Sequence, residues 1–474
     1  MVTRIKTDIC VIGAGSGGLS VAAGAVQMGA DAVLLEGHKM GGDCLNYGCV
    51  PSKALLSVAK QAHALGGGGR FGLAPSPAPA QVDFAAAKDH VRRAIDTIAP
   101  VDSEERFRGL GVRVIREYGR FISPTEVQAG DHVITARRFV IATGSSPLVP
   151  PINGLDGVPY HTNETIFEDR EKPAHLIIIG GGPIGLEMAQ AHARLGCQVT
   201  VVEGARALGR DDPEAVALIL ARLREEGVTI LEGLQAARVS GKAGAITLET
   251  QDGQRITGSH LLVAVGRKVN LDRLDLHKAE VEHDRAVRVG ADLRSSNRRV
   301  YAIGDAAGGM QFTHVAGYHA GVVIRSALLG LPSKAREDHI PRVTYTDPEL
   351  AQIGPTEDEA RALHGDALTV ARFDMAENDR AIAEDRRAGF VKVMVLRGRP
   401  IGATIVGASA GDLVGIWAMA IANRLKMSAV AGTVLPYPTL GEANKRAAGA
   451  YFSPKLFESS VVKRVVRTVQ RLLP

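Results

Sequence analysis

The sequence predicts an α/β protein built around two copies of one strand–turn–helix–strand unit. Residues 7–12 read as a short buried strand that runs straight into Gly13-x-Gly15-x-x-Gly18 and a helix of small residues. Residues 175–179 do the same into Gly180-x-Gly182-x-x-Gly185. In each copy the next strand ends in an acid, Glu36 or Glu203, at the same distance from the first glycine. At 474 residues the chain is too long for one domain, and its length suggests about three.

Each element has a physical job. Gly13 allows a tight turn, Gly15 lets backbone approach a pyrophosphate, and Gly18 lets helix and strand pack closely. The helix N-terminus holds phosphates, and Glu36 accepts a ribose hydroxyl. Gly180, Gly182, Gly185 and Glu203 repeat the pattern. One such glycine run alone says little, because glycine-rich turns are common. Two copies in full strand–helix–strand context, with matched acids, predict two bound dinucleotides.

Between the copies stands Gly41-Gly42-Asp43-Cys44-Leu45-Asn46-Tyr47-Gly48-Cys49-Val50-Pro51-Ser52-Lys53. Two thiols five positions apart can close a small disulfide ring if the backbone turns between them, and Gly48 supplies part of that freedom. Pro51 suits a first helical turn, which places Cys49 at a helix N-terminus. There the helix dipole favours thiolate, and Lys53 adds a second cation. The spacing alone also fits two buried cysteines or half a zinc site. Zinc needs two more ligands at short spacing, and neither Cys10 nor Cys197 has such a partner nearby in sequence. Beside a dinucleotide fold, the pair reads as a dithiol cycled in turnover. FAD in the first fold and a nicotinamide nucleotide in the second follow, since a flavin mediates between a hydride donor and a disulfide.

These residues resemble the pyridine nucleotide–disulfide oxidoreductases, the family of dihydrolipoamide dehydrogenase, glutathione reductase and mercuric reductase. The likeness covers the chain apart from its C-terminal tail. It rests on the Cys44/Cys49 segment, Ala142-Thr143-Gly144, the run from Gly180 to Glu187, Val265-Gly266-Arg267, and Tyr301-Ala302-Ile303-Gly304-Asp305. The resemblance implies that Asp305 binds the flavin ribityl chain, with Gly42, Ala142, Thr143, Gly144 and the His314 segment also contacting FAD and Gly266 contacting NAD. It implies that Cys49 is the charge-transfer thiolate next to the flavin and that Cys44 exchanges with substrate. Lys53 and Glu187 match the pair near the flavin ring, where a lysine held by a carboxylate can stabilise negative charge.

The same resemblance sets the expected architecture. A nicotinamide domain at 151–266 is inserted between flavin segments 1–150 and 267–336. An α+β dimerisation domain follows at 341–455, then a basic tail at 456–474. A homodimer is implied, each active site borrowing Tyr437 and Glu442 from its partner.

Two positions depart from the family pattern. The disulfide-reducing branch carries a His-Pro-Thr-x-x-Glu motif near the C-terminus, whereas this chain reads Tyr437-Pro438-Thr439-Leu440-Gly441-Glu442. Tyrosine, with a reference pKa of ~10, is a poor proton shuttle at neutral pH. That argues against efficient lipoamide or glutathione turnover. Tyrosine here, with Glu442-x-x-Lys445, is similar to mercuric reductase, and a thiolate-bound soft metal ion needs less proton traffic. The sequence shows no C-terminal cysteine pair and opens on the flavin strand, which counts against mercury itself. The readings are therefore an NADH-dependent reductase of a soft metal ion or small disulfide, a dihydrolipoyl dehydrogenase, or an electron-transfer flavoprotein docking on a membrane partner. Asp43 is the second departure: its charge disfavours a neighbouring thiolate, unless it points to solvent. Nucleotide choice turns on Glu203, which welcomes a ribose 2′-hydroxyl and repels a 2′-phosphate, so NADH is expected, with NADP(H) open through Arg206 and Arg210.

Composition bounds the rest. An apolar content of 45% with 4% aromatics describes an ordinary soluble enzyme. Four cysteines suit a reducing, cytoplasmic setting. The basic start resembles a signal-peptide head, but its apolar run ends at Gly13, so no leader is expected. Residues 413–422 are too short an apolar run to span a bilayer. The net charge of +5 comes wholly from the part after Gly441, which argues against nucleic acid. In the tail, Val461, Val462, Val465, Val466, Val469, Leu472 and Leu473 recur at helical spacing with basic residues opposite. Such a helix usually packs its apolar stripe on its own domain; the alternative is docking on anionic lipid or a membrane partner. Cys10 and Cys197 are expected as core thiols, and neither His314 nor His319 as a metal ligand, so no metal site is expected. Residues 66–69 and 74–79 are expected as a surface loop.

Overall fold

The computed structural model describes residues 2–66, 71–72 and 82–473, so most of the expected 66–79 loop lies outside the described residues. The chain divides into two compact units, residues 1–204 with 231–336, and residues 205–230 with 337–474. The helix Pro213–Glu225 thus belongs to the same unit as the C-terminal region.

In the first unit, one sheet centres on Thr3–Ile12. It pairs in parallel with Ala32–Leu35 on one side and with His132–Ile141 on the other, from Thr3 opposite His132 to Ile12 opposite Ile141. Arg113–Ile115 extends one edge, while Glu126–Ala129 and Gly119–Ser123 add antiparallel strands at the other. Val300–Ala302 returns from far along the chain to pair in parallel with His132–Ile141. Near-continuous apolar runs such as 9–12, 32–35 and 139–141 are what a parallel sheet covered on both faces demands, and all are buried. Helix Ser16–Gln27 packs against helix Thr313–Ala327; a Cβ on Gly24 would meet Ile324 at 2.5 Å.

A second parallel sheet in this unit runs His260–Val263, His175–Ile179, Gln198–Glu203. The sequence places Val263 and Ile141 at equivalent points of the two sheets, each just before the residue that touches the fingerprint's first glycine.

The second unit holds a five-stranded antiparallel sheet in the order Pro341–Thr344, Glu349–Ile353, Arg399–Gly407, Phe390–Leu396, Leu368–Asp374. The apolar run near 413–422 becomes helices Ala410–Leu413 and Gly415–Ala422, and Trp417 is fully buried with its Nε1–H donating to Asn444 Oδ1 at 2.7 Å. Lys392, 6% exposed, brings its ammonium within 2.9 Å of Asp212, 2.9 Å of Glu214 and 3.1 Å of Glu357, tying helix Pro213–Glu225 to the sheet. Burial opposes that charge, but the three carboxylates prevail and hold the Lys392 pKa above its usual value.

The tail forms helix Ser460–Leu472, capped by the Ser459 hydroxyl on the Val462 N–H. The expected packing of its apolar stripe on its own domain is not what the structure shows. Val461, Val465, Val466, Val469 and Leu472 are all exposed, and the helix buries none of its residues. Among the described residues, no helix is long and apolar enough to cross a membrane.

Candidate active site

The two glycine runs fold alike. Gly13 and Gly180 sit at φ +106° and +112°, and a Cβ on either would lie 2.4 Å from a carbonyl oxygen, of Ala142 and Ala264 respectively. A Cβ on Gly18 or Gly185 would strike the carbonyl of Gly13 or Gly180 at 1.9 and 2.0 Å. Only glycine fits these four places. Gly15 and Gly182, in contrast, face open space, as do Gly144 and Gly266. Gly15 and Gly182 are the N-caps of helices Ser16–Gln27 and Pro183–Arg194, which begin without a side-chain cap. Uncapped helix N-termini with room at the N-cap suit an anion, so the residues fit a dinucleotide phosphate in each fold. Glu36 Oε2 accepts the Ala14 N–H at 2.7 Å, and Glu203 Oε2 accepts the Gly181 N–H at 2.6 Å, which places both acids at the turn.

Gly41 and Gly42 adopt left-handed φ of +83° and +59°, and a Cβ on Gly42 would meet Gly15 Cα at 2.7 Å. This lays the cysteine segment against the first cradle. Cys44 lies on the short helix Gly42–Asn46 and Cys49 opens helix Cys49–Gly66. Gly48 serves differently from expectation: it is needed for space, since its Cβ would come 2.9 Å from Asp43 Oδ2.

The two thiols are free. The neighbouring Cys49 sulfur, with burial, pushes the Cys44 pKa well above the ordinary thiol range. The neighbouring Cys44, the Thr313 hydroxyl at 3.3 Å and the Lys53 charge bring the Cys49 pKa down to about 6 against desolvation. Lys53 Nζ in turn lies 2.7 Å from Glu187 Oε2. Of the two sulfurs, Cys49 is the one favoured as thiolate.

Asp43 does not point to solvent. Its Oδ1 pairs with Arg267 Nη2 at 3.0 Å and accepts from Asn163 Nδ2 at 3.2 Å. Its charge therefore ranks last among the influences on either thiol. Arg267 also donates Nε–H to Ser145 Oγ at 2.7 Å, and Ser145 donates to Asp305 Oδ2. Burial raises the Asp305 pKa, with Ser145 and Arg267 opposing. Thr143 Oγ1 donates to the Asn270 carbonyl at 2.7 Å, fixing the 142–144 turn. His314 follows Thr313 in the first turn of its helix, its ring stacked on Phe312 at 5.3 Å. Buried His319 accepts the Gly304 N–H through Nδ1 at 3.2 Å. Cys10 and Cys197 are core thiols, both with raised pKa from burial, Cys197 to about 11.

Tyr437 and Glu442 belong to the other unit. Tyr437 is 69% exposed, and its hydroxyl donates to Asp379 Oδ2 at 3.0 Å, which pushes its pKa up. Glu442 opens helix Glu442–Ala450. Sequence reasoning missed Thr313, Ser145, Asn163 and Asp379 as partners. Each meets its site residue across a long loop of chain, so no local pattern marks it.

The model of the pyridine nucleotide-disulphide oxidoreductase family matches residues 7–320, and that of the family's dimerisation domain matches residues 340–448. The chain belongs to the pyridine nucleotide-disulphide oxidoreductases. As a member of that family it is an enzyme that uses FAD and NAD(P)H, and its dimerisation domain makes a homodimer. A mercuric reductase of Streptomyces lividans is 34% identical over 94% of this chain and 96% of its own length. A dihydrolipoyl dehydrogenase of Bacillus subtilis (strain 168) is 30% identical over 92% of this chain and 96% of its own. Among solved structures, LpdA of Mycobacterium tuberculosis superposes with a TM-score of 0.86 at 25% identity, covering 94% of this chain and 99% of that one. The Cu(II) complex of the HOCl-induced flavoprotein disulfide reductase RclA from Escherichia coli gives 0.82 at 26% identity, covering 92% and 98%.

Proposed function

We propose that this family member passes electrons from NADH through FAD and the Cys44–Cys49 pair to a soft metal ion or a small disulfide, the metal ion being favoured. FAD, when bound, would supply the two-electron chemistry that links a nicotinamide to a disulfide. Gly13, Gly15, Gly18, Glu36, Gly42, Ala142, Thr143, Gly144, Asp305 and the His314 segment would hold FAD; Gly180, Gly182, Gly185, Glu203 and Gly266 would hold the nicotinamide nucleotide. Cys49 Sγ, with its pKa lowered to about 6, would be the sulfur next to the flavin. Cys44 Sγ keeps the proton and meets the acceptor. Lys53, steadied by Glu187, supplies positive charge beside the ring.

The observation that carries the acceptor class is the Tyr437 hydroxyl, committed as a donor to Asp379 and raised in pKa. Reducing a disulfide with NADH consumes a proton and delivers two to the product thiols. Reducing a divalent soft cation with NADH releases a proton, and the cation binds thiolates directly. A site with tyrosine in place of imidazole suits the second balance. The Cu(II) complex of a structural neighbour and the mercuric reductase relatives point the same way. A side-by-side anaerobic screen of Hg(II), Cu(II), lipoamide, glutathione disulfide and quinones with NADH and NADPH decides it. Metal-ion turnover with NADH well above lipoamide turnover is expected; lipoamide as the best acceptor would make the chain a dihydrolipoyl dehydrogenase.

The exposed tail helix favours a second reading, peripheral binding to an anionic lipid surface. Its valine face and its row of Lys463, Arg464, Arg467 and Arg471 have the chemistry of an interfacial helix.

A further inference from the structure

We propose that His161, Asp169 and His260 form a binding site for a divalent cation of the zinc class, separate from the dithiol. The three side chains are all partly buried, and their ligand atoms lie within 4.8 Å of one another. His161 Nε2 is 3.2 Å and His260 Nε2 3.4 Å from the same carboxylate oxygen, Asp169 Oδ2. Zinc bound tetrahedrally at ~2.0–2.1 Å to nitrogen and oxygen needs its ligand atoms about 3.3 Å apart, which the two nitrogen–oxygen spacings already match.

Each ligand is held from behind. The His161 N–H donates to the Leu261 carbonyl at 2.7 Å and its carbonyl accepts the Val263 N–H at 2.8 Å, which pins it to the strand His260–Val263. Its Nδ1 meets Thr165 Oγ1 at 3.2 Å. His260 Nδ1 meets Ser259 Oγ at 2.9 Å. Asp169 Oδ1 accepts the Glu171 N–H at 2.9 Å, leaving Oδ2 for the imidazoles. Outer hydrogen bonds of this kind orient metal ligands.

The nearby Lys88 ammonium donates to the Ile166 carbonyl at 2.6 Å and lies 4.9 Å from the Phe84 ring centre, while its charge also acts on Asp169 and His161. A cation here would brace the 161–169 loop, whose Asn163 donates to Asp43 Oδ1 at 3.2 Å and to the Tyr47 carbonyl at 3.1 Å.

The test uses full-length, FAD-loaded protein, stripped with chelator and kept oxidised so that Cys44 and Cys49 are withheld as a disulfide. Zn(II) is titrated calorimetrically, and the loaded protein is measured by zinc X-ray absorption. The expected result is one Zn(II) per chain in a nitrogen/oxygen shell with imidazole scattering, and at least a tenfold loss of affinity in His161→Gln and in His260→Gln. Absence of saturable binding, sulfur in the shell, or unchanged affinity in both variants overturns the proposal. The absorption measurement on the unmutated protein decides the matter should either variant fail to fold.

Discussion

Lys53 Nζ rests 2.7 Å from Glu187 Oε2, joining the helix that Cys49 opens to the helix that follows the second glycine turn. The carboxylate is 5% exposed, so the pair works in a shielded setting where charge counts for more than at the surface. It links the dithiol helix to the nucleotide helix through one contact between residues far apart in sequence.

Replacing the ammonium should therefore slow electron entry. Lys53→Met is expected to reduce the rate of flavin reduction by NADH by ~10–100-fold, the equivalent of one charge-assisted hydrogen bond of about 1.5–3 kcal/mol. Anaerobic stopped-flow absorbance reads it; an unchanged rate removes Lys53 from the flavin side of the mechanism.

Cys49 should titrate as an unusually acidic thiol. Its folded-state pKa is lowered to about 6, so the thiolate dominates above that pH and is lost as pH falls through it. Alkylation of the reduced enzyme by iodoacetamide should rise with a midpoint near 6, with Cys44 far slower because its pKa moves the other way. Thr313→Val deletes the hydroxyl at 3.3 Å and should move the midpoint upward. Mass-resolved labelling against pH checks both; equal reactivity of the two cysteines would contradict the opposite shifts of the two thiols.

At position 437 the missing imidazole is the point at issue. Tyr437→His is expected to raise lipoamide turnover ~10-fold or more, since a well-matched general acid–base contributes about 10²–10⁴-fold where fully positioned. Steady-state assays of both proteins near neutral pH test it. Robust lipoamide turnover by the unmutated chain refutes the proton-shuttle argument.

Lys392 should be a stability determinant of the C-terminal unit. Lys392→Met leaves Asp212, Glu214 and Glu357 facing one another, and a loss of about 3 kcal/mol at neutral pH is expected. The neighbouring charges lower the pKa of Glu214 and Glu357 despite some burial, so their contribution is present above their unfolded pKa and is lost as pH falls. The defect should accordingly shrink in acid. Urea unfolding followed by Trp417, the chain's single tryptophan, reports on this unit.

Removing the residues after Ser460 should abolish binding to phosphatidylserine vesicles and leave NADH-dependent flavin reduction intact. Binding by the full chain should weaken with salt and vanish on neutral vesicles. Sedimentation with liposomes is sufficient, and failure of the full chain to sediment ends the lipid reading.

Much of the nucleotide machinery was legible because it is local. Gly18 and Gly185 are required by the carbonyls of Gly13 and Gly180 within one strand–turn–helix unit, so spacing alone announces them, whereas Gly13 and Gly180 are also pressed by Ala142 and Ala264 from a distant strand end. Cys49 at a helix start followed from Pro51 in the same way. The tail helix was read from periodicity, but its environment was not. An apolar stripe shows that a face is available, and only packing shows whether anything covers it.

Sequence by itself determined two dinucleotide turns, a cysteine pair on a helix start, and a tyrosine where an imidazole was expected, because each depends on short-range geometry or on residue identity. Tertiary structure alone decided that Arg267 and Asn163 hold Asp43, that Thr313 bonds Cys49, that Asp379 holds Tyr437, and that two histidines converge on Asp169. Those partners come from distant segments brought together by sheet pairing and helix packing. The charge around each site residue is therefore a property of the fold.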